Sequence, residues 1–389
     1  MYVQLHSIIV AAIFSSALIW PLSAQRVQQT TIASSDLEGA LAQGFTRIAG
    51  IRELRDGRVV LLDADDRLVY IVSADLSEAR QVGRSGDGPG EYRMPSRLLA
   101  LRGDTTAVFD THNGRFLTIT PSGEPGDILD LRYDSSSRRG PPPIASDLDN
   151  HLYARTSPVR TLADGSLEVV DSATILRWTI GSRSDTAAFI ADDPSRYQVN
   201  GGFVRSSPVA PFAPRPAWAV GAAGRVAVVY PDPYHIMLIA RDRSATEGPT
   251  IPYDRMRVTE EHKQTHRAEA ERPRPMMTGR INDPQAASVT MVRRPFREPS
   301  GWAEFLPPFV ANAEILFDPD GNLWVERTTA SPADAQYDVI GRDGTLRHQV
   351  LLPAGTRLLG FGRKALYLVR RDDLDLEYLE RYSHSGFSP

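Results

Sequence analysis

Charged residues end several short apolar runs of this 389-residue chain, and they are the first candidates for chemistry. Two of these runs end in an aspartate and three end in an arginine. Arginine binds carboxylate and phosphate groups through paired hydrogen bonds, so a group of arginines would suit a carboxylate, a phosphate or an acidic sugar. The alternative is that the arginines pair with Asp or Glu of adjacent blades. The candidate ligand-binding residues of this kind are Asp63, Asp110, Arg155, Arg327 and Arg370.

Both aspartates are followed by an arginine that we take as the beginning of the next strand. Asp63 precedes Arg67, and Asp110 precedes Arg115. An ion pair or a turn clamp between neighbouring strands is the plainer interpretation, because arginine–carboxylate pairs position a chain well without being catalytic. The functional alternative is a charge exposed at a binding surface.

A glycine-rich loop from Gly83 to Gly90 adds Glu91 and Tyr92 to the candidate ligand-binding residues. Its glycine spacing is similar to that of a phosphate-binding loop. However, no helix and no Lys-Ser/Thr pair follows, and Pro89 lacks a donor N–H. The loop therefore predicts a turn rather than a nucleotide site.

Metal and nucleophile motifs are weak or missing. His262 and His266 lie four residues apart in a predicted helix and could hold a metal ion, but the spacing alone is weak evidence. The sequence has no G-x-S-x-G and no H-E-x-x-H motif, and without cysteine it has no thiol nucleophile. No linear catalytic set is visible.

The elements that position these residues repeat along the chain. A turn followed by an apolar β-run begins near Val59, Ala107, His151, Arg225, Asn322 and Lys364, at intervals of 48, 44, 74, 97 and 42 residues. Three intervals match the roughly 40–50 residues of a propeller blade, and the two long ones match a blade plus an insertion. The pattern predicts an all-β chain, a six-bladed β-propeller of four-stranded antiparallel blades.

The second repeat also resembles a known family. The segment from Gly86 to Tyr92, Pro95, the run Gly103–Asp110 and the run Asn113–Phe116 match the successive parts of an NHL-type repeat. The chain is similar to secreted bacterial six-bladed propeller proteins whose roles are mostly uncharacterised. The resemblance covers nearly everything after residue 40. It implies a fold and says little about function, because propellers host many unrelated activities.

Extra segments and the missing strand complete the predicted domain. Insertions are expected at about residues 191–216, and at about 254–307 between blades four and five. The second contains a helix over Val258–Glu271 with Thr259 as N-cap. Blade six has three strands, so the N-terminal segment Val27–Leu37 is predicted to supply its fourth. Because all insertions leave from two classes of connection, they should gather on one rim around the central channel.

The first 24 residues contain no Lys, Arg, Asp or Glu and include a 14-residue apolar run, Ser7–Trp20. This run is too short to span a membrane and is typical of a signal peptide, cleaved after Ala24. The alternative is that the segment is kept as an uncleaved anchor. Residues 25–389 should then form one propeller domain that is exported to the periplasm or the exterior, without stable membrane insertion. The net charge of −4 gives no reason to expect nucleic acid. A monomer is expected.

Two functional hypotheses follow. The first is a non-catalytic propeller that needs no cofactor and binds a protein, a glycan or a small anionic ligand through the decorated face and channel. The second is a metal-dependent hydrolase or lyase of lactonase type, with Ca or Zn held in the channel by one residue per blade. The lack of a visible catalytic set favours the first.

Overall fold

A computed structural model describes residues 28–130, 141–200, 203–278, 288–293, 295–310, 315–330 and 335–383. Nearly all of the regular structure in these residues is β, and most of it forms six sheets that each contain four antiparallel strands, one sheet having a fifth, parallel strand. The predicted signal peptide and its cleavage site lie outside the described residues. Among the described residues, none of the helices has the length and apolar character needed to cross a membrane.

The first three sheets are consecutive along the chain and are numbered as blades one to three. The strands of blade one are Ile48–Glu53, Val59–Asp63, Leu68–Val72 and Ala79–Val82. The strands of blade two are Pro95–Ala100, Thr106–Asp110, Arg115–Ile119 and Pro125–Asp130. The strands of blade three are Ala145–Ser146, Leu152–Arg155, Ser172–Trp178 and Asp185–Ala191.

Blades four to six follow the same order. The strands of blade four are Ala217–Val220, Val226–Pro231, Tyr234–Ile239 and Ala245–Glu247. The strands of blade five are Leu316–Phe317, Leu323–Glu326, Gln336–Ile340 and Leu346–Leu351. The strands of blade six are Thr356–Phe361, Ala365–Arg371, Glu377–Ser383 and the N-terminal strand Leu37–Ala40.

The first strands of the blades are the innermost and contact one another around the ring. That of blade one touches those of blades six and two, and the contacts continue through blades three, four and five. The six sheets therefore close into a six-bladed β-propeller, as the spacing of the repeats predicts.

The N-terminal segment does more than the sequence predicts. Instead of one strand over Val27–Leu37, it forms two short strands with a 3-10 turn at Ser34–Asp36 between them. Gln28–Thr31 adds a fifth, parallel strand to blade five, and Leu37–Ala40 completes blade six. The turn is stabilised because the Asp36 carboxylate accepts a hydrogen bond from the Ala33 backbone N–H at 2.8 Å. One segment thus covers the edges of two blades.

The core lies between the blades and consists of side chains from the middle strands. The second strand of blade one, VVLLD, is buried at every position, because both of its faces pack against neighbouring sheets. Trp324 in blade five and Phe116 in blade two are fully buried in the same way. Such continuous apolar runs are what strands covered on both faces require.

The two rims of the ring differ in structure. One rim has only short turns, which join first to second and third to fourth strands. The other carries the long connections, including the helix Glu260–Glu271 and several two-stranded hairpins. These small elements are Val159–Thr161 with Leu167–Val169, Tyr197–Asn200 with Phe203–Ser206, Arg274–Thr278 with Ser288–Val292, and the parallel pair Arg84–Ser85 with Glu91–Tyr92. We call this the built-up rim.

Candidate functional site

The two strand-end aspartates hold the backbone of the connections between blades. Asp63 is buried and accepts hydrogen bonds from the backbone N–H groups of Thr46 at 2.9 Å and Arg47 at 3.2 Å. Asp110 is buried and accepts from the backbone N–H groups of Met94 at 3.0 Å and Arg93 at 3.1 Å. Each carboxylate therefore clamps the chain just before the first strand of its own blade. We call these two residues the turn clamps.

Among the described residues, neither Arg67 nor Arg115 forms an ion pair with the turn clamp that was predicted as its partner. Arg115 donates to the backbone carbonyls of Asp87 at 2.8 Å and Glu91 at 3.1 Å, and so holds the glycine-rich loop. Arg67 precedes the third strand of blade one, which begins at Leu68. The aspartates pair instead with backbone N–H groups, because the incoming connection brings several of these donors to each carboxylate.

The three strand-end arginines are paired with carboxylates. Arg327 contacts the buried Asp338 at 3.0 Å, and Arg370 contacts Glu380 at 2.7 Å. Arg155 forms an ion pair with Asp192, which follows the fourth strand of the same blade. Each arginine pairs with a carboxylate of its own blade and not, as the structural alternative expects, of an adjacent blade. The part of the three arginines in ligand binding stays a prediction.

Glu91 and Tyr92 stabilise the glycine-rich loop. The Glu91 carboxylate accepts from the Gly88 N–H and pairs with Arg84, both at 2.7 Å. Tyr92 is buried, and its hydroxyl donates to the Val82 carbonyl at 2.9 Å, while burial raises its pKa. A Cβ on Gly83, which has φ +73°, would lie 2.7 Å from the Tyr92 ring. The loop needs glycine there because the tyrosine lies directly beneath it.

The described residues of the second insertion lie on the built-up rim, and we call them the cap. Its helix Glu260–Glu271 begins at the predicted N-cap Thr259, whose hydroxyl accepts from the His262 N–H at 3.4 Å. The rings of His262 and His266 pack against a cluster of aromatic side chains, and among the described residues they are not part of a group suited to a metal ion. The ring of His266 lies 5.5 Å from Trp302 and 5.5 Å from Phe212, the latter being part of the first insertion. The two insertions therefore pack together.

A cavity of about 660 Å³ lies between the end of the cap helix and the built-up rim of blades six, one and two. The cap helix leaves the ring after blade four, and its end lies beside blade six, where Arg272 contacts Asp375. The cavity is lined by Thr46, Arg47, Ala64, Asp65, Arg67, Met94, Pro95, Ser96, Thr111, Glu269, Arg272, Pro273, Arg371 and Asp375. None of the seven predicted site residues is among these described lining residues.

An ion pair joins the cap to blade six at the edge of the cavity. Arg272, at the end of the helix, contacts Asp375 at 2.8 Å, and this hydrogen bond raises the pKa of Arg272. Arg371 lies 3.7 Å from Asp375 and 3.2 Å from Glu377. The sequence gives no signal for this contact, because Arg272 and Asp375 belong to connections that are about a hundred positions apart.

The charges of the cavity are balanced except at one arginine. Arg47 contacts Asp65 at 2.7 Å, and Arg272 and Arg371 share Asp375. Arg67 is half-buried and has no hydrogen-bond or ion-pair partner among the described residues. One guanidinium of the cavity is therefore uncompensated.

Metal ligands do not converge in the part of the chain that the structure describes. No group of three or more His, Asp or Glu side chains there has an arrangement suited to a metal ion. The carboxylates of the built-up rim mostly accept hydrogen bonds from backbone N–H groups or arginines. A calcium or zinc ion in the channel stays a prediction of the second hypothesis.

The class of protein that these features define is a six-bladed β-propeller with a helical insertion on one rim. No family model matches the sequence, and no curated protein is similar to it, so the NHL-type resemblance stays a prediction. Solved structures with a similar overall arrangement include a member of the DUF4221 family from Bacteroides vulgatus, at 9% identity and a TM-score of 0.49, covering 89% of this chain and 97% of that chain.

Two further solved structures show how varied these similar proteins are. A putative exported protein from Bacteroides fragilis is 12% identical, with a TM-score of 0.43 and coverage of 91% and 98%. Virginiamycin B lyase from Staphylococcus aureus is 11% identical, with a TM-score of 0.35 and coverage of 91% and 97%. At such identities and scores the similarities carry no argument about function. The function has to be argued from the capped cavity.

Proposed function

We propose that this protein is a non-catalytic binding protein, and that its ligand occupies the cavity beneath the cap. The observation that carries the proposal is that the end of the cap helix, with Arg272 and Pro273, lines a cavity of about 660 Å³ together with blades six, one and two. Ligand sites of proteins have volumes of about 300–1,000 Å³ and lie on loops that a rigid scaffold holds. The ring supplies that scaffold.

The size and lining of the cavity favour a small molecule over a protein partner. Hydroxyl groups of Thr46, Ser96 and Thr111 lie beside the apolar side chains of Met94 and Pro95. A mixture of apolar surface and a few polar groups is typical of sites that bind metabolites or sugars. A glycan could enter through one terminal unit, with the remainder of its chain outside the cap.

Filling the cavity tests the proposal. A panel of neutral sugars, acidic sugars, sugar phosphates and small carboxylates would be screened by saturation-transfer NMR with the wild-type protein and with Ser96→Trp. Ser96 lines the cavity, so we expect the indole to abolish the binding of every hit. The matched control is Ser122→Trp, in an exposed turn on the other rim. Two results would refute the cavity as the binding site: hits that bind to the Ser96→Trp variant as well as they bind to the wild-type protein, or a screen without hits.

The metal-dependent hydrolase or lyase is the alternative activity. It would need three or more ligands in the channel, which the described residues do not bring together. Metal analysis of the protein purified without chelators separates the two hypotheses. The binding hypothesis expects less than a stoichiometric amount of any divalent ion, and one ion per chain that survives dialysis would favour the enzyme.

Export is part of the same proposal. The apolar run Ser7–Trp20 and the small residues up to Ala24 support a signal peptide. Expression of the full chain in a bacterium, followed by mass spectrometry of the periplasmic fraction, would identify the mature N-terminus. We expect it at Gln25, and an uncleaved chain in the cytoplasm would contradict export.

A further inference from the structure

Arg67 differs from the other arginines of the cavity in both its charge partner and its backbone. Arg47, which directly precedes the first strand of blade one, is neutralised by Asp65 at 2.7 Å. Arg67 is half-buried and has no such carboxylate among the described residues. Because no carboxylate of the described residues neutralises Arg67, its guanidinium can take an anion in the cavity as its partner.

The backbone conformation of Arg67 supports the same conclusion. Its φ is +59°, in the left-handed region that favours glycine. The strand registers align Asp63 with Leu68 in blade one and Asp110 with Arg115 in blade two, so the turn position of Arg67 corresponds to Gly114. Gly114 has nearly the same φ, +61°. In blade two this turn position is Gly114, and glycine adopts a left-handed φ without strain. In blade one the same position is Arg67, whose backbone is strained.

We propose that Arg67 is the anion-binding residue of the capped cavity, and that the ligand carries a carboxylate or a phosphate group. The inference rests on the proposed function, because it takes the cavity as the binding site. A guanidinium binds either group through two parallel N–H···O hydrogen bonds. The strain at Arg67 is then explained, since strained backbone persists at sites where function requires it.

Anion titration of the arginine side chains tests this inference. Inorganic phosphate and acetate would be titrated into the protein, labelled at the arginine Nε and Cζ atoms, while the side-chain NMR signals are followed. We expect the Arg67 signal to saturate at an anion concentration about tenfold lower than that needed at Arg205. Arg205 is exposed and also lacks a partner among the described residues, so it measures ordinary association of an anion with arginine. Equal responses of Arg67 and Arg205 would overturn the inference.

The variant Arg67→Gly separates binding from folding. Glycine accepts the left-handed φ, so we expect an unchanged or higher midpoint of thermal unfolding and loss of the saturable response to phosphate and acetate. A lower midpoint would mean that Arg67 supports the fold. The two anions distinguish the ligand groups, because a phosphate site should prefer phosphate and a carboxylate site acetate. If neutral hits from the screen bind the cavity while the Arg67 NMR signal responds to neither phosphate nor acetate, this inference fails and the binding function stands.

Discussion

The ring and the cap are held by different kinds of contact. In the ring, buried carboxylates such as Asp63 and Asp110 clamp backbone N–H groups between strands that are themselves buried. In the cap, the helix Glu260–Glu271 has no buried residue and is held by aromatic rings and by exposed ion pairs. Buried charge-assisted hydrogen bonds resist opening far more than exposed pairs do. The ring should therefore stay fixed while the cap opens.

This difference suits a binding protein. Movement of the cap would widen access to the cavity, and it costs little when few contacts break. Regions that admit ligands come from the least stable part of a fold. The wall that we propose to recognise the ligand, in contrast, belongs to blades six, one and two and does not need to move. The following predictions test whether the two regions are as unequal as their contacts indicate.

The largest effect is expected from removing a turn clamp. Asp110 accepts four backbone hydrogen bonds and one from the Asn113 side chain. Asp110→Ala leaves these donors without an acceptor in the interior, so we expect the free energy of unfolding to fall by roughly 3–5 kcal/mol. Chemical denaturation measures the change.

Asp110→Asn is the matched control for the turn clamp. It keeps one acceptor oxygen of the same shape and should lose about half as much stability. If Asp110→Ala unfolds as wild type does, the turn clamps are not what fixes the ring, and the contrast with the cap disappears.

An intermediate and local effect is expected from Trp302→Ala. The indole packs on His266 at 5.5 Å and on Phe212 at 6.0 Å, and joins the helix to the first insertion. Aromatic pairs contribute about 0.5–1.5 kcal/mol each, so hydrogen exchange of the cap helix should become roughly tenfold faster. Exchange in the blades should not change. A fall in protection of the blades would show that the cap and the ring open together.

Much of the fold can be predicted from the sequence, because its signals are local. The turn-plus-apolar-run repeat predicts six blades, and Thr259 with the acids that follow predicts the helix. The N-terminal segment was placed correctly on blade six, but its second pairing, with blade five, was not predicted, since Gln28–Thr31 is polar and its partner strand is distant in sequence.

The candidate site was less predictable, because its contacts join distant connections. The arginines at strand ends were chosen for their position, yet Arg327 and Arg370 face carboxylates on the next strand. The sequence predicts Arg67 as the first residue of a strand, but the strand begins at Leu68. Alignment of its turn with that of blade two, anchored on Asp63 and Asp110, would have placed it opposite Gly114 and shown its unusual backbone. The Arg272–Asp375 contact had no signal in the sequence.

The smallest effect is expected from Arg272→Ala, which removes the ion pair between the cap and blade six. The two side chains are 33% and 67% exposed, and such pairs contribute about 0.2–1 kcal/mol. We expect exchange of the cap helix to become about twofold to fivefold faster at low salt. In the wild type, high salt should produce a similar change, because ions screen exposed pairs.

Arg347→Ala is the matched control for this last change. It removes the exposed pair of Arg347 with Asp343 at 2.9 Å, on the rim with short turns. If the Arg272–Asp375 contact closes the cap, Arg272→Ala speeds exchange of the helix at low salt and Arg347→Ala does not. Equal exchange in both variants would mean that the aromatic cluster alone holds the cap, and that this ion pair has no part in controlling entry to the cavity.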